Sequence, residues 1–218
     1  MRIDAHRHYW QINGFDYAWI EHGSPLYRDF LPSRSDIPCI VIESANTAEE
    51  NAFLYGLSQM YPHIRGIVGY AEHPKELSCC LGWEVFKGIR INLLKPATDL
   101  SAIVQMLEQN RLTCDILMTP EQTPEVIALA RTFKDLSLIL NHFAGAGTNH
   151  KALGKIIDVF SPFSNIYMKF SLQEGCPPLP MFRRIVERWG VKRLLFGSNY
   201  PVCKDTHVLE SYLGSLAA

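Results

Sequence analysis

Two histidines close to the start of the chain, His6 and His8, have a spacing that permits metal binding. Side chains two residues apart on a β-strand point to the same face, so both imidazoles and the Asp4 carboxylate share one side. Where that side faces the axis of a barrel, two imidazoles at the carboxyl end of a strand can chelate one divalent ion. Two structural or exposed histidines remain the alternative, because short motifs often match by chance.

Two further polar residues follow apolar segments later in the chain. His142 comes after the apolar run 138–140, and Asn199 lies in the segment 196–201 between small residues and a proline. Polar residues at the carboxyl ends of barrel strands meet at one mouth. We therefore expect both side chains to lie near the paired histidines. A histidine on a surface loop is the alternative for His142.

Eight short apolar segments are predicted to be the strands that position these residues. They are 2–9, 39–44, 65–70, 88–93, 114–118, 137–141, 166–170 and 193–197. The runs 138–140 and 194–196 are apolar on both faces, which is typical of parallel strands covered on either side. Helices are predicted at 47–61, 99–109, 120–134 and 179–189, from apolar residues at helical spacing. This alternation predicts a compact (β/α)₈ TIM barrel of the α/β class, rather than an open doubly wound sheet.

Three details of the chain lie outside this alternation. The helix 47–61 has a capping-box pattern, with Thr47 as the cap and Glu50 three residues later. The segment 10–38, rich in aromatic residues and proline, is too long for a plain connection and is predicted to be a loop over the barrel. After the eighth strand we expect a short C-terminal end with one short helix, 206–216.

Composition excludes some classes of function. The 218 residues predict one domain, 1–218; they are 47% hydrophobic and 20% charged, with a formal net charge of -1 and no run of like charges. This pattern argues against nucleic-acid partners and against an anionic membrane surface. No apolar run is long enough for a membrane span, and the first residues lack the apolar stretch of a signal peptide. The six cysteines are scattered, so we expect reduced thiols in a cytoplasmic protein.

The first strand resembles the opening of a known family. The octapeptide Ile3-Asp4-Ala5-His6-Arg7-His8-Tyr9-Trp10 is similar to the start of the amidohydrolase-related (amidohydrolase 2) TIM-barrel proteins, which include the L-fuconolactonases and the 2-pyrone-4,6-dicarboxylate lactonases. The segments 28–32, 42–45, 66–69, 87–90, 114–117 and 167–171 extend this resemblance along nearly the whole chain.

The resemblance implies a role for each matching residue. His6 and His8 match the metal-binding or substrate-polarising pair, and His142 matches a further ligand or electrophile. Asn199 falls where the family carries the aspartate that takes a proton from the attacking water. The remaining candidates for substrate binding are charged residues on strands: Glu43, Arg90, Asp115 and Lys169. For these four, structural salt bridges are the alternative.

Three departures from the family pattern affect this interpretation. Asn141 stands in place of the aspartate expected before His142, and Asn199 stands in place of the catalytic aspartate. A neutral carboxamide cannot act as a general base. The chain also stops soon after the eighth strand. We therefore expect a subunit partner, in a homo-oligomer, or the segment 10–38 to cover the seam between the last and first strands.

The resemblance implies hydrolysis of a lactone or related cyclic ester of a small sugar-like or carboxylated substrate. One divalent metal ion, zinc first, with manganese or no metal as alternatives, would be bound by His6, His8 and His142. Trp10 would pack against the substrate ring together with Tyr9 and Tyr200. The alternative function is a catalytically impaired barrel that binds a small molecule or a protein. Decarboxylation or hydration on the same barrel is a third hypothesis.

Overall fold

Eight parallel strands pair in chain order, each with the next. The computed structural model describes residues 3–95, 99–171, 177–203 and 207–214. The strands are β1 (Asp4–Arg7), β2 (Cys39–Ile42), β3 (Ile64–Gly69), β4 (Phe86–Asn92), β5 (Thr113–Leu117), β6 (Ser137–Leu140), β7 (Ile166–Phe170) and β8 (Leu194–Phe196). Every predicted strand overlaps one of them.

Helices connect most of these strands. Those in the described residues are α1 (Glu49–Met60), α2 (Pro74–Cys80), α3 (Ser101–Gln109), α4 (Thr123–Thr132), α5 (His150–Phe160), α6 (Leu179–Trp189) and α7 (His207–Gly214). The sequence did not predict α2 or α5. The predicted helix 120–134 is divided into a short 3₁₀ turn, Pro120–Gln122, and α4. Of the predicted helix 206–216, residues 206, 215 and 216 lie outside the described residues.

The last strand returns to the first and nearly closes the sheet. Arg7 and Tyr200 form a parallel bridge. The main-chain N–H of His8 donates to the Tyr200 carbonyl at 2.8 Å, and the N–H of Asn199 donates to the His6 carbonyl at 2.8 Å. A ring of eight parallel strands with intervening helices is the architecture of a (β/α)₈ barrel. The predicted fold is therefore confirmed.

Strand β4 shows how the barrel separates its apolar and polar sides. Ile89 and Ile91 are buried in the main apolar core, which also contains helix residues, whereas Arg90 between them points to the opposite face. Arg90 is in register with Asp115 of β5, which is also buried. The faces that meet around the barrel axis therefore carry charged residues, and their outward neighbours pack against the helices.

The predicted capping box of α1 is wrong. The helix begins at Glu49, and no side chain caps its first turn. The Glu50 carboxylate instead accepts hydrogen bonds from the main-chain N–H groups of Ser44 and Ala45, at 2.6 and 2.9 Å. Glu50 thus holds the loop after β2, and these two hydrogen bonds take the place of the bond to the helix cap that the sequence predicted.

The segment 10–38 packs against the seam between β1 and β8. Its own small apolar cluster contains Trp10, Tyr17, Ile20 and Phe30. Trp10 and Phe30 form an antiparallel bridge, and the Phe30 ring lies 6.1 Å from the Tyr200 ring. Arg7 of β1 forms an ion pair with Asp36 at 3.2 Å. The segment therefore contacts residues on both sides of the seam.

None of the described helices is both long and apolar enough to cross a bilayer. The longest of them, α1, has 12 residues. Cys39, Cys79, Cys80 and Cys114 are free thiols.

Candidate active site

A cavity of about 220 Å³ opens at the carboxyl ends of the strands, where catalytic residues of such barrels gather. It is lined by His8, Trp19, Ser44, Asn46, Arg90, Asn92, Leu94, Leu117, His142, Asn199 and Val202. A larger groove, about 600 Å³, lies on the outside between α4 and α5, and none of its described lining residues is a histidine. We place the candidate site in the smaller cavity because four of the predicted site residues line it: His8, Arg90, His142 and Asn199.

His6 and His8 bring their imidazole nitrogens together. The two Nε2 atoms are 3.1 Å apart. His8 Nδ1 lies 2.9 Å from the Ile42 carbonyl oxygen. Because a carbonyl only accepts, Nδ1 is the protonated nitrogen of His8 and its Nε2 carries a lone pair toward His6. The hydrogen bond from Nδ1 to the Ile42 carbonyl fixes both the tautomer and the orientation of the His8 ring.

An unusual turn after β6 places His142 beside the pair. His142, Phe143 and Ala144 have φ angles of 49°, 54° and 55°, in the left-handed region that L-residues rarely adopt. Such backbone strain persists only where the surrounding structure enforces it, and it is concentrated at functional sites. The His142 ring lies 4.5 Å from the His6 ring, and its Nδ1 is 2.9 Å from Ser171 Oγ.

The turn after β8 places Asn199 on the same cavity. The Asp4 carboxylate accepts hydrogen bonds from the Ser198 main-chain N–H at 2.8 Å and from its hydroxyl at 2.5 Å. Gly197 is required here, because a Cβ would lie 2.4 Å from His6 Cβ. Asn199 itself has a φ of 54°. The first strand therefore fixes the position of the turn that carries Asn199.

Two ion pairs cross the barrel interior below the cavity. Arg90 Nε donates to Glu43 Oε1 at 2.7 Å, and Lys169 Nζ contacts Asp115 Oδ2. All four residues are buried, but only Arg90 lines the cavity. Burial raises the pKa of Asp115 and lowers that of Lys169, while their mutual contact opposes both shifts. The four predicted charged residues are thus brought together as two pairs.

The electrostatics of the cavity keep its imidazoles neutral. Burial is the main cause of a pKa well below the usual range at His6 and His8; Lys169 adds to it at His6 and Arg90 at His8. Burial, with a contribution from Arg90, lowers the pKa of His142 to about 3. Neutral imidazoles offer lone pairs to a metal ion or to a proton.

The donor set fits a divalent ion at the His6–His8 pair. A separation of 3.1 Å between two Nε2 atoms suits two neighbouring ligand positions on one ion bound at about 2.0–2.1 Å. Across the described ranges, no three His, Cys, Asp or Glu side chains form a complete metal-binding group. The structure thus presents a chelating pair, with His142 next to it and Asn199 on the same cavity as a weak oxygen donor.

The aromatic residue that lines the cavity is not one of those predicted to contact the substrate. Trp10 is fully buried in the cluster of the segment 10–38 and does not line the cavity. The Tyr9 ring belongs to the main core, and Tyr200 lies under the Arg7 guanidinium at 4.3 Å. Trp19 lines the cavity instead and is 43% exposed.

Several cavity residues were not predicted from the sequence. Asn92 lies two residues after Arg90 on β4, so strand periodicity could have placed it on the same face. Trp19 and Asn46 belong to loops without regular periodicity, and the sequence carries no comparable signal for them.

The chain is similar over its length to known proteins. A model of the amidohydrolase family, Amidohydro_2, matches residues 3–214. The L-fucono-1,5-lactonase of Burkholderia ambifaria is 26% identical over 235 residues, covering 93% of this chain and 81% of that protein.

Solved structures show the same fold. An amidohydrolase from Burkholderia multivorans with bound zinc superposes with a TM-score of 0.82 at 22% identity, covering 100% of this chain and 91% of that one. A putative 2-pyrone-4,6-dicarboxylic acid hydrolase from Pseudomonas putida superposes with a TM-score of 0.70 at 17% identity, covering 99% and 90%. With the family match over nearly its whole length, the chain belongs to the amidohydrolase family.

Proposed function

We propose that this protein is a hydrolase that opens a lactone or related cyclic ester of a small sugar-like or carboxylated substrate. The observation that carries the proposal is the convergence of neutral imidazoles and one guanidinium on a single cavity at the carboxyl end of the barrel. The similar Burkholderia lactonase supports the same reaction class. The cavity volume, about 220 Å³, suits a small ring.

Arg90 is the residue that would bind the reacting carbonyl or a substrate carboxylate. Its Nε is held by Glu43, which leaves the two terminal nitrogens as donors on a guanidinium that lines the cavity. Donors fixed in advance at a site of developing negative charge stabilise the transition state, because they need no reorganisation. The same fork of donors suits a carboxylate.

An imidazole must accept the proton of the attacking water. None of the described residues that line the cavity is a carboxylic acid. Glu43 is engaged by Arg90, and Glu72, whose carboxylate accepts from the Tyr70 hydroxyl, is not among the residues that line the cavity. We assign proton acceptance to His142, which lies on the cavity and is neutral. The low pKa of this group makes it a weak base, so we expect modest turnover.

The metal would be held by His6 and His8. When bound there, a zinc or manganese ion would polarise the substrate carbonyl and lower the pKa of a coordinated water. Zinc accompanies the similar Burkholderia multivorans amidohydrolase, and manganese accompanies a dihydroxybenzoic acid decarboxylase from Polaromonas with the same fold. Ser44 and Ile42 would keep the His8 ring in place for this role, through contacts at its Nδ1.

A catalytically impaired barrel is the second candidate function. It is favoured by two carboxamides, Asn141 and Asn199, at positions where the family resemblance implies aspartates. Both are buried, and Asn199 lines the cavity. Such a protein would bind the substrate class without turning it over.

Hydrolysis of a panel of sugar lactones and pyrone lactones, with and without added zinc or manganese, tests the proposal. We expect slow turnover that is lost in His8→Ala and retained in His150→Ala, a control on the exposed start of α5. Calorimetry with zinc should show that His8→Ala binds the ion more weakly. Native protein that binds these ligands without turnover would favour the second candidate.

A further inference from the structure

A second cleft adjoins the catalytic cavity. Its volume is about 770 Å³, and its lining includes Phe15, Asp16, Ala18, Trp19, Glu49 and Lys95. It shares Trp19, Asn46 and Asn92 with the cavity. The two spaces are therefore neighbours with a common boundary, and a ligand longer than one ring could occupy both.

The boundary is built from side chains that the protein holds in place. Asn92 Nδ2 donates to Asn46 Oδ1 at 3.1 Å, which joins the ends of β4 and β2. The main-chain N–H of Asn46 donates to Glu43 Oε2 at 2.8 Å, and Asn92 Oδ1 accepts from the Leu94 N–H at 3.0 Å. The amide pair thus has a fixed position, and its remaining donors and acceptors can bind hydroxyl groups from either side.

Trp19 provides an aromatic surface at the same boundary. Its indole N–H donates to the Ser44 carbonyl at 2.9 Å, and its ring meets the Trp10 ring edge-on with centroids 5.6 Å apart. The side chain nevertheless stays 43% exposed. An exposed tryptophan that is anchored at its polar end presents apolar area at a low entropic cost to binding, since its orientation is already fixed.

The polar lining of the second cleft indicates the chemistry of its ligand. Asp16 and Glu49 supply carboxylate acceptors, and Lys95 supplies an ammonium donor. Together with the aromatic rings of Trp19 and Phe15, this set suits a neutral ring with an apolar face and hydroxyl groups at its edge. A purely aromatic ring would leave the polar groups without partners, and an anion would meet two carboxylates.

We propose that the second cleft binds a hydroxylated sugar-like ring attached to the reacting lactone, so that the preferred substrate has two rings. Trp19 and the Asn46–Asn92 pair determine this preference by contacting the substrate at the junction between the rings. The identity of the reacting ring rests on the proposed function, whereas the presence of the second ring rests on the cleft alone.

The test compares a one-ring aldono-1,5-lactone with a two-ring disaccharide aldono-1,5-lactone. We expect kcat/KM to be about tenfold higher for the two-ring lactone, equivalent to about 1.4 kcal/mol. Ala18→Arg places a large side chain in the second cleft and should reduce this ratio to about one, and Asp16→Ala should reduce it in part. Glu21→Ala, on the same loop but outside both spaces, should keep the native ratio.

Binding of the corresponding open aldonates, measured by calorimetry, separates this inference from the proposed reaction. The two-ring aldonate keeps its second ring intact, so we expect it to bind about tenfold more tightly than the one-ring aldonate, with the gain lost in Ala18→Arg. If neither lactone is hydrolysed but the two aldonates still differ in affinity, the assignment of the second cleft is retained and the proposed hydrolysis is wrong. Equal affinities and equal kcat/KM values in the native protein, or a ratio that Ala18→Arg leaves unchanged, would overturn the inference.

Discussion

The buried carboxylate of Glu50 accepts a 2.6 Å hydrogen bond from the main-chain N–H of Ser44. Ser44 in turn contacts two side chains that line the cavity: its hydroxyl lies 3.1 Å from His8 Nδ1, and its carbonyl accepts the Trp19 indole N–H. A single carboxylate on α1 therefore positions the loop that contacts one candidate metal ligand and the indole that lines the cavity.

Replacing Glu50 with glutamine should change how stability depends on pH. Burial, with a contribution from Glu43, raises the pKa of Glu50 from 4.5 to about 7. Since the folded state holds this proton more tightly, the contribution of Glu50 to stability is fully present below pH 4.5 and is lost as pH rises through 7. Relative to Glu50→Gln, we expect the free energy of unfolding of the native protein to fall by about 3 kcal/mol across this range.

Urea unfolding of both proteins between pH 4 and pH 8 measures this difference. Glutamine is a suitable replacement because one oxygen, Oε2, accepts both main-chain N–H groups, so the amide oxygen can keep these bonds. The exposed Glu125→Gln is the control and should follow the native curve. A Glu50→Gln curve parallel to the native one would show that Glu50 titrates normally in the fold.

Removing one partner of the buried Lys169–Asp115 pair should reduce the free energy of unfolding more than replacing both partners with apolar residues. Asp115→Leu leaves the Lys169 ammonium without its partner inside the barrel, and we expect a loss of about 3 kcal/mol in the free energy of unfolding. The double variant Asp115→Leu, Lys169→Met should lose less than the sum of its single changes. Urea unfolding provides the four values of this cycle.

The exposed pair of Arg184 and Asp158 is the control for that cycle. Its atoms approach to 2.6 Å, but both side chains are nearly half exposed. Solvent screening makes such pairs weak, so Arg184→Ala should change the free energy of unfolding by about 0.5 kcal/mol or less. A coupling energy of about 0.5 kcal/mol or less inside the barrel, the range expected of an exposed pair, would contradict the expected effect of burial.

Arg90 should be irreplaceable by lysine in catalysis. Lysine can keep the ion pair with Glu43, so the thermal midpoint of Arg90→Lys should stay close to the native value. The variant loses the fixed fork of donors on the cavity, and we expect kcat/KM to fall by about 10². Steady-state hydrolysis measures the change, with the exposed Arg131→Lys as a control. Native kinetics in Arg90→Lys would mean that this guanidinium does not contact the substrate.

Much of the fold could be predicted because parallel strands that are buried on both faces consist of short, continuous apolar segments. The helices were harder to predict. α2 has only seven residues, too few for a clear period. In α5 the apolar residues Leu153, Ile156, Ile157 and Phe160 do follow helical spacing, but Gly154 and the glycines just before it obscure the pattern. The predicted capping box is wrong because Glu50 accepts hydrogen bonds from the loop after β2 and not from the main chain at the helix cap.

The site was predictable where strand geometry decides it. His6 and His8 share a face through the period of two, and strand ends bring His142 and Asn199 to the same mouth. The sequence could not show that Trp19, and not Trp10, lines the cavity. Both belong to one irregular segment, and only the tertiary contacts of that segment determine which indole is buried and which lines the cavity.

In the proposed reaction, the carboxamide of Asn199 is the reason to expect slow turnover. It occupies a position on the cavity wall, with its turn anchored by Asp4 through Ser198. It cannot accept a proton from water at neutral pH. The weakly basic imidazole of His142 is then the group that we assign as the proton acceptor.

Replacing Asn199 with aspartate should therefore raise turnover. The substitution keeps the size of the side chain and introduces a carboxylate near Arg90, a cation that favours its ionised form. A well-placed general base contributes about 10² to 10⁴ in rate, so we expect kcat for lactone hydrolysis to increase by about 10² at pH 7.5. Asn199→Ala, which removes the amide without supplying a base, should show no gain. If the Asn199→Asp variant folds and keeps the native kcat, the proton acceptor lies elsewhere. If only this variant is active, the native protein binds its ligand without hydrolysing it.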